Sequence, residues 1–315
     1  MLVLLGAMLL AACSHAPVAP ITDEPEIAIP ATATGPQPEI IVVRVEPRSP
    51  RPSASAPPLP EPPGVAIVLT GRQPAYSTVA YELSQLLDKF SIYDLSDKSQ
   101  PADTAFRLIN DSDARAVVAI GVAAARFAVD QSALPVVFSQ VFNYQNNGLI
   151  TDTSRGVAAL APLDAHLAAW KQSKPDLQRV GAIIGEGHDD LIAEAQAAAD
   201  QHNIDLDIRI VTSDQEAQYQ FRRMVAEIDG FWLFPDNRVL STRSLKEMLA
   251  QAARRKVDVA VSNDALLPLG ASISISSVAA DIAATIVTVL RRIEAGQMEN
   301  IPEITPLNAI QVVRQ

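Results

Sequence analysis

The chain has 315 residues, 48% of them apolar and only 5% aromatic, with a formal charge of −11. That length allows one large or two ordinary α/β domains with a real core, and the acidity excludes nucleic acid as a partner of the folded part. Cys13 is the single cysteine and the four histidines are scattered, so there is no intramolecular disulfide, no thiolate site and no zinc spacing.

Taken in chain order, the first feature is the apolar stretch from Leu2 to Leu10, which matches a secretory h-region and is too short to span a bilayer. Leu10-Ala11-Ala12-Cys13 closes it and resembles the lipobox of bacterial lipoproteins. The resemblance implies that residues 1–12 are a signal peptide and that Cys13 carries a thioether-linked lipid. The protein would then be held on the periplasmic side of a bacterial membrane. Ser14, where Asp would retain a lipoprotein at the inner membrane, favours the outer one. No Lys or Arg precedes Arg44, so the usual positive n-region is missing from this stretch.

Between Ser14 and Pro63 lie fourteen of the 23 prolines, spaced by Ala, Ser, Thr and Glu. Such a segment cannot bury enough apolar surface to offset its ordering entropy. Residues 13–63 are therefore expected to form an extended tether, reaching up to roughly 150 Å in polyproline II geometry. One patch interrupts it. Ile40-Ile41-Val42-Val43 is β-prone, and it either pairs with a sheet edge of the body or of a partner, or is a chance apolar run.

After Gly64 the texture changes. Val65–Leu69 is a short apolar run of the kind found in buried parallel strands, and similar runs recur at Ala116–Ile120, Pro135–Phe138, Val180–Ile184, Ile208–Val211, Phe231–Phe234, Val257–Val261 and Ile273–Ile275. Helical periodicity fills most of the gaps. Val79, Leu83, Leu86 and Leu87 share one face, as do Leu191, Ala195 and Ala198, and Leu245, Met248, Leu249 and Ala252. Val278, Ile282, Ile286, Val289, Leu290 and Ile293 mark the strongest helix, ended by Gly296. Alternating strands and helices predict parallel sheets covered on both faces. A polar break near Asn146–Gly156 predicts two Rossmann-like lobes joined by a hinge. The lobes are expected at 64–156 with 277–298, and at 157–276 with 299–315.

Several stretches of this body resemble the ABC-transporter substrate-binding proteins of the type I periplasmic-binding fold, many of them lipoproteins. They are Thr70-Gly71-Arg72-Gln73-Pro74-Ala75-Tyr76, Ala119-Ile120-Gly121-Val122-Ala123-Ala124 and Leu134–Val141. Arg155-Gly156-Val157, Lys174–Gly181, Phe234-Pro235-Asp236-Asn237 and Gly270-Ala271 follow in the same order. The resemblance implies a small polar ligand, such as an amino acid, held between the lobes and passed to a membrane permease. No cofactor or metal is implied. Two departures stand out: Asn143-Tyr144 replaces an Asp-Pro, and Val122 replaces a hydroxyl residue.

In open α/β sheets ligands settle beyond the carboxyl ends of strands, near helix N-termini. The candidate binding residues are accordingly Thr70, Tyr76, Gly121, Gln140, Asn143, Glu186, Asp236, Asn237 and Asn263. Tyr76 either stacks on the ligand or covers the first helix. His188 either reaches the cleft or is a solvated helix-start residue. Asp236 either meets a ligand ammonium or caps the next helix. Asn263 and Asp264 fit either part. No nucleophile motif occurs, so an enzyme is not expected. The leading reading is a lipid-anchored solute receptor; the alternative is an envelope lipoprotein that uses the same fold as an interaction or regulatory module.

Overall fold

A computed structural model describes residues 40–45, 60, 64–142, 144–236 and 239–314. Cys13, Asn143 and Asn237 lie outside the described residues, as does most of the proline-rich stretch. The described residues fall in one compact unit, Pro38–Gln315.

The chain begins with β1 (Ile40–Arg44). A first α/β run follows: β2 (Val65–Leu69), α1 (Pro74–Ser84), β3 (Phe90–Asp94), α2 (Ala102–Asn110), β4 (Ala116–Ile120), α3 (Val122–Gln131), β5 (Val136–Ser139) and β6 (Ser154–Val157). A second run holds α4 (Leu163–Ser173), β7 (Arg179–Gly185), α5 (Asp189–Gln201), β8 (Asp205–Val211), α6 (Asp214–Met224), β9 (Gly230–Leu233), α7 (Thr242–Arg255), β10 (Asp258–Val261) and β11 (Ile273–Ser277). The chain closes with α8 (Ala279–Glu294), β12 (Ile304–Thr305) and β13 (Ala309–Arg314).

Two sheets result. The first is wholly parallel, in the order β12-β6-β5-β4-β2-β3; the second runs β1-β13-β11-β10-β9-β7-β8, with β13 and β1 antiparallel to their neighbours. β2 and β4 are buried at every position, which is why they read as unbroken apolar runs. α8 buries Ile282, Ile286, Val289 and Leu290 and packs over the first sheet against α1. α1 stops at Ser84, so Leu86 lies beyond the helix and is exposed, whereas Leu87 is buried.

The lobes are exchanged three times among the described residues: from β6 to α4, from β11 to α8, and from β12 to β13. The first crossing comes after Val157, since Ser154–Val157 still belongs to the first sheet. Ile304–Thr305 pairs with β6, so the chain after α8 adds a strand to the first sheet before entering the second. A boundary at residue 298 was expected and falls too early, because Ile304 fills the space beside Gly156. Ile40–Arg44 pairs with β13 in antiparallel register, Ile40 opposite Val313 and Arg44 opposite Ala309. Of the alternatives for this patch, it takes the edge of its own body, inside the span expected to be free tether.

Candidate functional site

Each sheet has one switch point, where strand order reverses and neighbouring helices leave in opposite directions. In the first sheet it lies between β2 and β4, and there Thr70, Tyr76 and Gly121 meet. The Thr70 hydroxyl accepts the Ala124 N–H at 3.0 Å, satisfying a free donor of the first turn of α3. Gly121 has φ 89°, and a Cβ there would stand 2.7 Å from the Thr70 hydroxyl and 2.8 Å from Tyr76 Cζ. Tyr76 thus covers the start of α3 at close range. Its burial pushes the phenol ionisation upward.

The second sheet switches between β7 and β9. Here a carboxylate takes the role played by a hydroxyl in the first lobe. Asp236 is buried, and its Oδ2 accepts the Gly185 N–H at 2.9 Å and lies 3.2 Å from His188 Nε2. The N-cap of α7 is Ser241, so Asp236 does not cap that helix; it is a buried brace between the ends of β7 and β9. Glu186 is exposed beside it. Asn263 is also exposed and caps a 3-10 turn through its side-chain oxygen, which accepts the Ala265 N–H at 3.0 Å.

The lobes touch through the segment that follows β5. Gln140, at the end of that strand, is half-buried with φ 57°, a left-handed conformation uncommon outside glycine. The turn redirects the chain, and Phe142 then lies against two rings of the second lobe: His188, with centroids 4.7 Å apart, and Phe234 at 6.5 Å. Gln145 Nε2 donates to Asp190 Oδ2 at 3.2 Å, and Asn146 Nδ2 donates to the Gly187 carbonyl at 3.3 Å. Gly187 has φ 80° and leaves no room for a Cβ under Asn146.

Beside these contacts is a cavity of about 160 Å³. The first lobe supplies Phe142, Tyr144 and Gln145, the first crossing supplies Ala158–Ala161, and α5 supplies Asp190, Leu191 and Glu194, with the buried His188 also on the lining. Sites for drug-sized molecules run to about 300–1,000 Å³, so this space suits a small solute. Burial, and then the charges of Asp190, Glu303 and Glu194, push the Tyr144 phenol upward.

A family model described as ABC transporter substrate binding protein matches residues 71–311. The chain belongs to this family. Substrate-binding proteins of this kind work outside the cytoplasm, hold a solute for an ABC transporter, and are in general not enzymes. No curated protein matches the sequence. Among solved structures, CD0873 from Clostridium difficile is described as a substrate binding protein with adhesive properties, in a ligand-free, open form. It superposes with TM-score 0.58 at 14% identity, over 78% of this chain and 91% of that one. An ABC domain from Streptococcus pneumoniae in complex with L-Trp gives TM-score 0.55 at 16% identity, over 79% and 91%. A conserved domain protein from Vibrio cholerae gives 0.54 at 16%, over 79% and 91%. These likenesses show the fold, and the family's two-lobed architecture is the one seen here.

Within that architecture, the seven candidate residues that are described divide into separate groups, and none lines the cavity. Thr70, Tyr76 and Gly121 form one; Asp236 braces His188; Gln140, Glu186 and Asn263 stand apart. The sequence reading missed Phe142, Gln145 and Asn146, although an aromatic and two amides just after a buried strand were a usable signal. Asp190 and Glu194 were missed as well. Their spacing of four places both carboxylates on one side of α5.

Proposed function

We propose that this chain is the solute receptor of an ABC-type uptake system, binding a small polar molecule between its lobes. The observation that carries this reading is the cavity whose walls come from the first lobe, the crossing and α5 together. A solute there would bind to both halves at once, so ligand and lobe closure would favour one another. Lipid on Cys13 would hold the receptor at the membrane, and no helix among the described residues is long and apolar enough to cross one. A permease is the expected partner.

Thermal unfolding against panels of small solutes tests the reading, because a ligand at a hundredfold excess over its Kd adds about 2.7 kcal/mol. A stabilising solute that loses its effect in Phe142→Ala supports the cavity. A screen with no stabilising solute refutes the receptor. Metabolic labelling with a palmitate analogue, lost in Cys13→Ser, tests the anchor.

A second reading is favoured by one specific observation. At both switch points the groups that would face a ligand are bonded to each other, and Gln145 and Asn146 bond directly to the second lobe. An envelope lipoprotein acting as an interaction module would have this closed form as its working state. X-ray scattering separates the two: a receptor opens when its solute is dialysed away, and a module keeps one radius of gyration.

A further inference from the structure

We infer that the cavity between the lobes selects a small organic cation, a reading that rests on the solute-binding function proposed above. The carboxylates on its lining are Asp190 and Glu194; His188, also on the lining, has its Nε2 against Asp236 at 3.2 Å, and among the described residues no Lys or Arg lines the cavity. Each carboxylate has one oxygen engaged: Asp190 Oδ2 takes the Gln145 amide at 3.2 Å and Glu194 Oε1 takes the Leu163 N–H at 3.2 Å. Each therefore presents a second oxygen as an acceptor.

The other walls suit the rest of such a molecule. Phe142 and Tyr144 present rings, whose faces attract cations, and Leu160 and Leu191 offer apolar contact. Tyr144 feels the negative field directly, since Asp190, Glu303 and Glu194 all oppose its ionisation after burial. An anion entering here would face two carboxylates and lose hydration without compensation. A neutral molecule would gain the apolar contacts but no charge-assisted bond. The volume of about 160 Å³ limits the ligand to a short alkyl amine or a compact ammonium.

The test uses three probes with one branched carbon skeleton: isopentylamine, isopentanol and isovalerate, each titrated calorimetrically into the protein at about 10 mM, where even a millimolar site fills. The amine is expected to bind at least about tenfold more tightly than the alcohol, and the acid not at all. The double variant Asp190→Asn, Glu194→Gln keeps an acceptor oxygen for each internal bond, and it is expected to lose about the same tenfold for the amine while unfolding at an unchanged temperature. Equal binding of alcohol or acid, or an unchanged amine affinity in the double variant, overturns the cation inference and leaves the receptor standing. Binding of none of the three also overturns the cation inference, while the receptor is decided by the wider solute panel.

Discussion

Asp236 and His188 are buried partners across the second switch point, with Oδ2 and Nε2 3.2 Å apart and each side chain only 2% exposed. Gly185 gives the same oxygen its N–H, so one carboxylate joins the ends of β7 and β9 to the ring that meets Phe142. Removing one member of such a pair strands the other. Asp236→Ala should cost about 1–3 kcal/mol in urea unfolding, by stranding the buried Gly185 N–H and the His188 ring, and Asp236→Asn less because an acceptor for Gly185 remains. An alanine variant as stable as the parent would show that the pair does not brace the lobe.

At the other switch point the contact is steric. Gly121→Ala places a methyl 2.8 Å from Tyr76 Cζ and imposes an L side chain on φ 89°. The backbone alone should cost about 1–2 kcal/mol, with the displaced ring in addition. Combining Gly121→Ala with Tyr76→Ala should return the part of the steric cost due to the ring, leaving the Thr70 clash and the backbone part, and so give a non-additive cycle. Strict additivity would mean that Tyr76 yields freely.

How far this was readable from the chain depends on what kind of contact decides each feature. β2 and β4 are all-apolar because both faces are covered, and such runs can be seen from composition. β3 escaped notice because it is an edge strand with half its side chains toward water, and Phe90-Ser91-Ile92-Tyr93-Asp94 has no such run. Thr70, Gly121 and Asp236 were placed correctly at strand ends. Which way their polar groups turn is set by partners 54 and 51 residues away, Ala124 for Thr70 and Gly185 for Asp236. Sequence spacing carries no record of those distances, so internal bracing and ligand binding looked alike.

The docking of β1 rests on backbone bonds. Ile40, Ile41, Val42 and Val43 are 39–61% exposed, so they bury little against the body. Val45 donates its N–H to the Asn308 carbonyl, and antiparallel alternation then turns Val43 and Ile41 toward β13 and Val42 outward. Val43→Pro should release the strand and speed hydrogen exchange at the Ile310 and Val312 amides, while global stability falls by no more than about 1–2 kcal/mol. Val42→Pro should be tolerated, since its N–H faces away from β13. If the two prolines behave alike, the assigned register is wrong.

His166 gives the clearest dependence on pH. It is 1% exposed beside Trp232, its Nε2 has no hydrogen-bond partner, and burial lowers its pKa from 6.5 to about 4. The unfolded chain therefore binds this proton more readily than the folded one, and stability rises with pH between those values. Moving from neutral pH to pH 5 should cost about 2 kcal/mol through this residue, approaching about 3 kcal/mol below pH 4. Asp94, Asp97, Asp176 and Asp214, whose pKa values are lowered from 3.8, lose their contributions only at lower pH, so their titration lies below the His166 window. His166→Leu should flatten the stability profile across that window and unfold at higher denaturant than the parent at pH 5. A slope unchanged by the substitution would mean that the imidazole finds a proton-stabilising partner in the folded protein.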